Sequence, residues 1–467
     1  MKRIILIGSF FLCCSVCLTA SVSFGDTGLY PGETKNHIKR TPADGLFNIS
    51  QTGKSDIAGK FGPLNQVCSG VNIHFVTSHE KDLDMIAAAG FKFIRMDFGW
   101  QDIERTRGVY DWAAYDELTA NLEKRGMSAI YILDYSNSFY EEPIDSKDPL
   151  TGKEQRDIAS PRHSETIEAF ARWAAASAAH FKGRNIIWEI WNEPNIFFWK
   201  PTPDVAQYIA LAMATCKAVK AVVPDAVIIG PTTSEVPLPF LESFLASGVL
   251  EYLDAVSVHP YRNYSKSPET AVDDYRKLRE LIERYAPAEK KKMPVISSEW
   301  GYSSSTKGVS LEKQETYIVR MQLANLLNGI PISIWYDWKN DGDDPTEHEQ
   351  NFGTVSSDLK PKPAYKAVQT MNMQLKDFTF SHRIDIKNDN DFVLLFRNGK
   401  GNYKISAWTT DQAHSVILDS NIPKVTSTTA TDGEGHVLKL KTEKGRLVID
   451  LIALPQYITL PSGIKMN

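Results

Sequence analysis

The chain has 467 residues, of which 42% are hydrophobic and 23% are charged, and its formal net charge is −5 at pH 7. This composition is typical of a folded globular protein and excludes an extended disordered chain. The length allows one large domain with a smaller one beside it, and the slightly negative charge provides no basic field for nucleic acid.

The first 25 residues have the pattern of a secretion signal. Lys2 and Arg3 precede an apolar run over 4–18, and small residues follow between positions 20 and 25. The apolar run is short for a membrane span, and no later run is long enough to predict one. The sequence therefore predicts a signal peptide over 1–25, export of the mature chain, and an N-terminal extension over 26–66.

Between residues 67 and 375, short apolar runs alternate with stretches of helical periodicity. The runs show little polar alternation, as expected for parallel strands that are buried on both faces. Eight strands are predicted, at 67–75, 91–98, 128–135, 186–193, 226–232, 253–261, 294–301 and 331–338. This pattern predicts an α/β fold, a (β/α)8 TIM barrel. An open doubly wound sheet is the alternative, but no glycine-rich phosphate turn follows the first strand.

The pattern changes over residues 376–467. Short strand-like runs are separated by Asn, Gly, Asp and Pro, and no helical period appears. Such spacing predicts a small C-terminal all-β domain, sandwich-like in architecture.

Polar and aromatic side chains gather at the ends of the predicted barrel strands, where the active sites of such barrels lie. They are His74, Arg95, Asn192, Glu193, His259, Tyr261, Glu299 and Trp335. Two glutamates at one rim suit glycoside hydrolysis, in which one carboxyl protonates the leaving oxygen and the other attacks the anomeric carbon or activates water. The carboxyl separation, which distinguishes retention from inversion, does not follow from the sequence.

Two segments make this interpretation specific. WEIWNEP at 188–194 and SSEWG at 297–301 resemble the two catalytic segments of glycoside hydrolase clan A, the retaining barrel enzymes, in its family 39-like and family 5-like members. The resemblance implies that Glu193 is the general acid/base and Glu299 the nucleophile. It also implies that Asn192 holds the 2-hydroxyl of the sugar.

The same resemblance implies roles for the remaining strand-end residues. Arg95 and Tyr261 would hydrogen-bond the nucleophile, and His259 would line the same wall. Trp335 would form an aromatic platform under the reacting sugar, and His74 would bind a hydroxyl.

Other acidic residues receive weaker interpretations from their positions. Glu189 lies deeper in its strand than Glu193 and is expected to be structural. For Asp97, Asp134 and Asp337, direct sugar contact and support of neighbouring groups both remain open. Long barrel loops such as 339–353, KNDGDDPTEHEQNFG, usually shape substrate subsites. The acids of this segment could bind calcium, but they lack the spacing of an EF-hand, so a solvated acidic loop is favoured.

The sequence thus predicts an exported retaining β-glycosidase that cleaves a β-linked poly- or oligosaccharide by double displacement, without a cofactor. Two alternatives remain: a non-catalytic carbohydrate-binding barrel, and a transglycosylase that uses the same residues but excludes water. A metal hydrolase is disfavoured, because no His-x-His or His-Glu-x-x-His spacing occurs. The expected partner is therefore a carbohydrate, with no metal, no nucleic acid and no membrane span.

Overall fold

The computed structural model describes Phe61 and residues 65–147, 152–418, 428–444 and 446–460. The predicted signal peptide and most of the predicted N-terminal extension lie outside the described residues.

Eight parallel strands close into a barrel, as the sequence predicted. They are β1 (Ser69–Asn72), β2 (Phe93–Gly99), β3 (Ser128–Asp134), β6 (Ile186–Ile190), β7 (Val227–Ser234), β8 (Ala255–His259), β9 (Val295–Ser297) and β10 (Ser333–Trp335). The labels β4 (Pro143–Lys147) and β5 (Glu154–Ile158) belong to an antiparallel hairpin in the long segment after β3. This hairpin was not predicted.

The side chains of each barrel strand alternate between an inner and an outer layer, because successive residues of a strand point to opposite faces of the sheet. One hydrophobic cluster includes Ile130, Ile187, Ile229 and Ile296, one from each of four strands, and fills the barrel interior. Gly70 on β1 lies in the same layer, where a Cβ atom would come within 2.8 Å of the backbone oxygen of Phe93 on β2. The close approach of these two strands therefore requires glycine.

Helices cover the outside of the barrel. The principal ones are Glu80–Ala88, Ala113–Glu123, Ser164–His180, Val205–Val222, Leu238–Ala246, Val272–Tyr285, Leu311–Leu327 and Pro363–Leu375. Their buried faces join the outer layer of strand side chains in the largest hydrophobic cluster. Among the described residues, Val205–Val222 alone is long and apolar enough to cross a membrane. It lies between β6 and β7, where Tyr208, Leu211 and Val219 are fully buried in the barrel core.

Two antiparallel sheets follow the barrel. The first contains six strands, and the second contains three. The strands are β11 (Phe378–Arg383), β12 (Asp391–Asn398), β13 (Tyr403–Thr409), β14 (His414–Ile417), β15 (Thr429–Thr431), β16 (Val437–Leu438), β17 (Lys441–Glu443), β18 (Arg446–Leu451) and β19 (Gln456–Thr459). The larger sheet packs on the barrel through Trp408, whose Nε1–H donates to Glu269 Oε1 at 2.8 Å.

The fourth barrel strand, β6, ends three residues earlier than predicted. Its ladder stops at Ile190, and Trp191 and Glu193 then have φ values of 65° and 42°. This left-handed backbone is unusual for residues with a Cβ atom. The segment WNE therefore forms a turn at the tip of the strand, and this turn positions Glu193.

Candidate active site

The strand ends bring Glu193 and Glu299 together at one end of the barrel. A carboxylate oxygen of Glu193, one of Glu299 and a ring nitrogen of His259 all lie within 4.8 Å of one another. Retaining glycosidases have carboxyl groups about 5–5.5 Å apart, whereas inverting enzymes leave about 6.5–9.5 Å for a water molecule. The spacing in this barrel therefore suits retention.

Glu299 is held by several donors that stabilise its ionised form. Arg95 Nη1 donates to Oε2 at 2.6 Å, and Tyr261 OH donates to Oε1 at 2.8 Å. Asn72 Nδ2 donates to Oε2 at 3.4 Å from the end of β1. Hydrogen bonds to an ionised acceptor are among the stronger ones in proteins, so this carboxylate is fixed in one orientation.

Arg95 is the centre of a buried network. Its Nε donates to Glu189 Oε2 at 2.5 Å, and its Nη2 donates to Asn192 Oδ1 at 2.9 Å. Burial alone would lower the pKa of Arg95, but the carboxylates of Glu189 and Glu299 overcome this effect and raise it. Arg95 is therefore charged, and it connects Glu299 to Asn192. The amide of Asn192 is the group that was predicted to bind the 2-hydroxyl of the sugar.

Glu193 is held in a different way. Its Oε1 hydrogen-bonds His259 Nδ1 at 2.8 Å, while its Oε2 has no hydrogen-bond partner among the described residues. Burial raises the pKa of Glu193, the hydrogen bond and charge of His259 lower it, and the Glu299 carboxylate raises it further. The net shift is upward, which favours a protonated carboxyl beside an ionised one.

Both catalytic candidates are completely buried, as are Arg95 and His259. The same burial strengthens the charge interactions within the site, because little water screens them.

The prediction for Trp335 differs from the structure. Trp335 belongs to the outer layer of the barrel and is fully buried, and its Nε1–H donates to Phe352 O at 3.2 Å. Ile334 faces the barrel interior, the strand ends at Trp335, and Tyr336 belongs to the same hydrophobic cluster as Trp335. The Tyr336 ring lies 5.6 Å from the His74 ring. The ring beside His74 is therefore that of Tyr336, the residue after Trp335.

His74 lies at the same end of the barrel as the catalytic pair. Its Nε2 is 3.3 Å from Asp337 Oδ2, and its side chain is 21% exposed. Burial would lower the pKa of His74, but its hydrogen bond and charge interaction with Asp337 raise it to about 9.

The sequence analysis missed three residues near the pair. Asn72 contacts Glu299, and Glu349 from the acidic segment lies close enough for the charges of Glu299 and Glu193 to act on it. Tyr336 is the third. Glu189, which was expected to be structural, orients Arg95. Asn72 could have been identified, because it lies two residues before His74 and so shares its face of the strand.

Four groups of the described residues have the spacing of a metal site, and two of them belong to the ends of the barrel strands: Glu193 with His259 and Glu299, and His74 with Asp337 and Asp341. In the first group, Arg95 and Tyr261 already donate to the oxygens of Glu299. A bound cation would have to displace a fixed positive charge, so this group is better suited to acid–base and nucleophilic chemistry.

Comparisons with known proteins agree with this geometry. The family model described as Cellulase (glycosyl hydrolase family 5) matches residues 61–342. A β-xylosidase from Caldicellulosiruptor saccharolyticus is 24% identical over 348 residues, which cover 66% of this chain and 69% of that protein.

Two solved structures extend the similarity to most of the chain. A family 39 glycoside hydrolase from Bacteroides cellulosilyticus WH2 is 26% identical with a TM-score of 0.72, over 85% of this chain and 81% of that one. A family 39 β-xylosidase from Caulobacter crescentus is 19% identical with a TM-score of 0.60, over 85% and 96%. At that identity, the second likeness shows the fold alone.

Proposed function

Because the chain belongs to the Cellulase (glycosyl hydrolase family 5) family, within clan A of the glycoside hydrolases, we propose that Glu193 is its acid/base and Glu299 its nucleophile. Membership in this clan makes the chain a retaining O-glycosyl hydrolase, as the sequence predicted. The observation that carries the assignment of roles is the asymmetry of the carboxyl pair. Donors surround Glu299, whereas Glu193 is buried with one oxygen unpartnered.

In the first step, the ionised Glu299 attacks the anomeric carbon while Glu193 gives its proton to the leaving oxygen. The glycosidic C–O bond breaks, a glycosyl ester forms on Glu299, and the leaving sugar departs as an alcohol. The raised pKa of Glu193 keeps this proton available near neutral pH. Asn192, oriented through its Oδ1 by Arg95, offers its amide N–H groups to the 2-hydroxyl.

In the second step, the roles of Glu193 change. The ester on Glu299 carries no charge, so the repulsion that raised the pKa of Glu193 is lost and Glu193 ionises. It then takes a proton from water, the water oxygen attacks the anomeric carbon from the opposite face, and the ester bond breaks. Two displacements at one carbon restore the original anomeric configuration.

The substrate we propose is a β-linked poly- or oligosaccharide. A β-xyloside is the first sugar to test, since two of the similar proteins are β-xylosidases. The signal-like pattern over 1–25 supports the further proposal that the enzyme meets this glycan after export.

The test is the stereochemistry of the product. The mature chain is incubated with an aryl β-xyloside and with β-linked glycans, and proton NMR follows the first anomer released. The account predicts the β anomer first, followed by mutarotation. Release of the α anomer first would indicate inversion and contradict the double displacement.

Isosteric variants test the two roles in the same assay. Glu193→Gln and Glu299→Gln are each expected to lose most activity, whereas the exposed Glu280→Gln keeps it. Full activity in both site variants would mean that these glutamates are structural. The ratio of free sugar to transfer products separates hydrolysis from transglycosylation.

A further inference from the structure

The strand β7 departs from regular pairing beside the turn that carries Glu193. Its pairing with β8 passes from Pro231 to Thr233 and leaves out Thr232, whose φ is 55°. This is a bulge, and its left-handed residue is β-branched, an unusual combination. Such backbone costs free energy and persists only where the surrounding contacts hold it. Bulges are common beside active sites, where they redirect a side chain, so this one indicates a local role for Thr232.

Thr232 makes two hydrogen bonds to the turn. Its carbonyl oxygen accepts from the Glu193 N–H at 3.1 Å, and its hydroxyl donates to Trp191 O at 2.9 Å. Trp191 and Glu193 are the two left-handed residues of the turn, and Thr232 is completely buried. A single residue of β7 therefore holds both strained positions of the turn, without solvent to compete for its hydrogen bonds.

Asn195 connects the other end of the turn to the same strand. Its Nδ2 donates to Ser234 O at 3.0 Å, and its Oδ1 accepts from the Ser234 N–H at 2.9 Å. Ser234 is the register partner of His259 on β8, and His259 Nδ1 hydrogen-bonds Glu193 Oε1 at 2.8 Å. The backbone that follows Glu193 is thus tied to the strand pair that positions the hydrogen-bond partner of its carboxyl group.

Resting on the proposed function, we propose that Thr232 and Asn195 are positioning residues for the acid/base. Together with Ser234 they form what we call the β7 clamp. The clamp holds the left-handed turn, so that the Glu193 carboxyl stays beside His259 and Glu299. Its residues act through Glu193, because proton transfer requires the carboxyl within hydrogen-bond reach of the leaving oxygen. A misplacement of about 1 Å can reduce a rate about 100-fold.

The test compares two β-xylosides that differ only in the leaving group. A dinitrophenolate departs without a proton, whereas an unsubstituted phenolate depends on the proton of Glu193. Thr232→Val removes the hydroxyl while it keeps the shape, and Asn195→Ala removes the paired amide. In each variant of the full chain, kcat/KM for the phenyl xyloside should fall about 10- to 100-fold, whereas that for the dinitrophenyl xyloside stays within about 2-fold. An equal fall on both substrates, or no fall on either, would overturn the proposal.

Two further variants separate positioning from general damage to the fold. Thr232→Ser keeps the hydroxyl that holds Trp191 O, so it should retain most of the activity on the phenyl xyloside. A loss as large as in Thr232→Val would contradict the clamp. Thr379→Val is the matched control, because the Thr379 hydroxyl donates to Arg397 O at 2.8 Å within the larger C-terminal sheet. Its kcat/KM should match that of the wild type on both substrates.

Hydrogen exchange keeps this test separate from the proposed function. The Glu193 N–H donates to Thr232 O, so its exchange rate reports on the clamp without any substrate. Thr232→Val and Asn195→Ala should each accelerate exchange in peptides that cover 191–196 about 10-fold, the effect of one lost hydrogen bond, and Thr379→Val should not. If the wild type cleaves no glycoside, the hydrolase proposal fails, and the exchange rates alone decide on the clamp. Unchanged exchange in both clamp variants would overturn the clamp whatever the activity.

Discussion

Replacing Arg95 with methionine tests the buried network beneath the active site. The substitution keeps a side chain of similar length but removes the guanidinium and its bonds to Glu189, Glu299 and Asn192, at 2.5, 2.6 and 2.9 Å. Glu189 and Glu299 are both fully buried, so neither carboxylate can turn to water for compensation.

The expected loss of unfolding free energy is about 3–5 kcal/mol, the usual effect of removing one partner from a buried ion pair. Glu189 and Glu299 both lose the guanidinium that they share, and protonation of one of these two carboxylates limits the loss of unfolding free energy. The double variant Arg95→Met with Glu189→Met should therefore be more stable than Arg95→Met alone, because one unpaired buried charge is removed as well.

Urea unfolding followed by tryptophan fluorescence measures these differences. Arg276→Met is the matched control, because Arg276 is 44% exposed and pairs with Glu280 at 2.7 Å and with Asp273 at 3.7 Å. Exposed pairs contribute about 0–1 kcal/mol. If Arg95→Met costs no more than Arg276→Met, the network does not hold the site as described.

Three further predictions concern the acid/base, the nucleophile and the contact between barrel and sheet. His259→Phe removes an interaction that lowers the pKa of Glu193, so the falling limb of the pH–kcat profile should move to higher pH. A shift of that limb to lower pH would contradict the assignment of Glu193 as the acid/base. Tyr261→Phe removes the 2.8 Å hydrogen bond to Glu299, which contributes about 1.5–3 kcal/mol. The kcat in steady-state assays should therefore fall about 10- to 100-fold, and an unchanged kcat would refute the role of Tyr261 in holding the nucleophile. Trp408→Ala removes a fully buried indole ring that is stacked on Phe392, and urea unfolding should show that the free energy of unfolding falls by about 3–5 kcal/mol. A fall of less than about 1 kcal/mol would mean that the larger sheet adds little to stability.

The barrel was predictable because its signal is repeated and local. Each strand is a short apolar run buried on both faces, and each is followed by a helical period, so errors at single boundaries do not change the fold. Glu193 and Glu299 were predictable for a related reason. Both follow such runs directly, and the strand ends of a closed barrel must converge at one rim.

The prediction that Trp335 forms the sugar platform differs from the structure by one residue. A shift of one residue along a strand moves a side chain to the opposite face of the sheet. The run that ends at Tyr336 has a single polar residue, Ser333, so it carries little alternation from which the inner position could be identified. The structure supplies that register through Ile334 in the barrel interior.

The positions of Asp337 and Glu349 relative to the candidate catalytic pair could not be derived from the sequence. Asp337 follows the eighth strand, but Glu349 comes 12 residues later in a segment without regular hydrophobic periodicity. The approach of Glu349 to Glu299 and Glu193 depends on how that segment folds back over the barrel. From the sequence, only the length of the segment 339–353 indicated a role, and its acids were expected to be solvated.

The most direct test of the central claim is rescue by azide of Glu299→Ala and Glu193→Ala, with the anomeric configuration of the glycosyl azide read by NMR. If Glu299 is the nucleophile, azide attacks in its place in Glu299→Ala and gives the α-glycosyl azide, with inversion. In Glu193→Ala, azide attacks the glycosyl ester on Glu299 and gives the β-glycosyl azide, with retention. The opposite pairing of products would exchange the two roles, and full activity of both variants without azide would contradict the account.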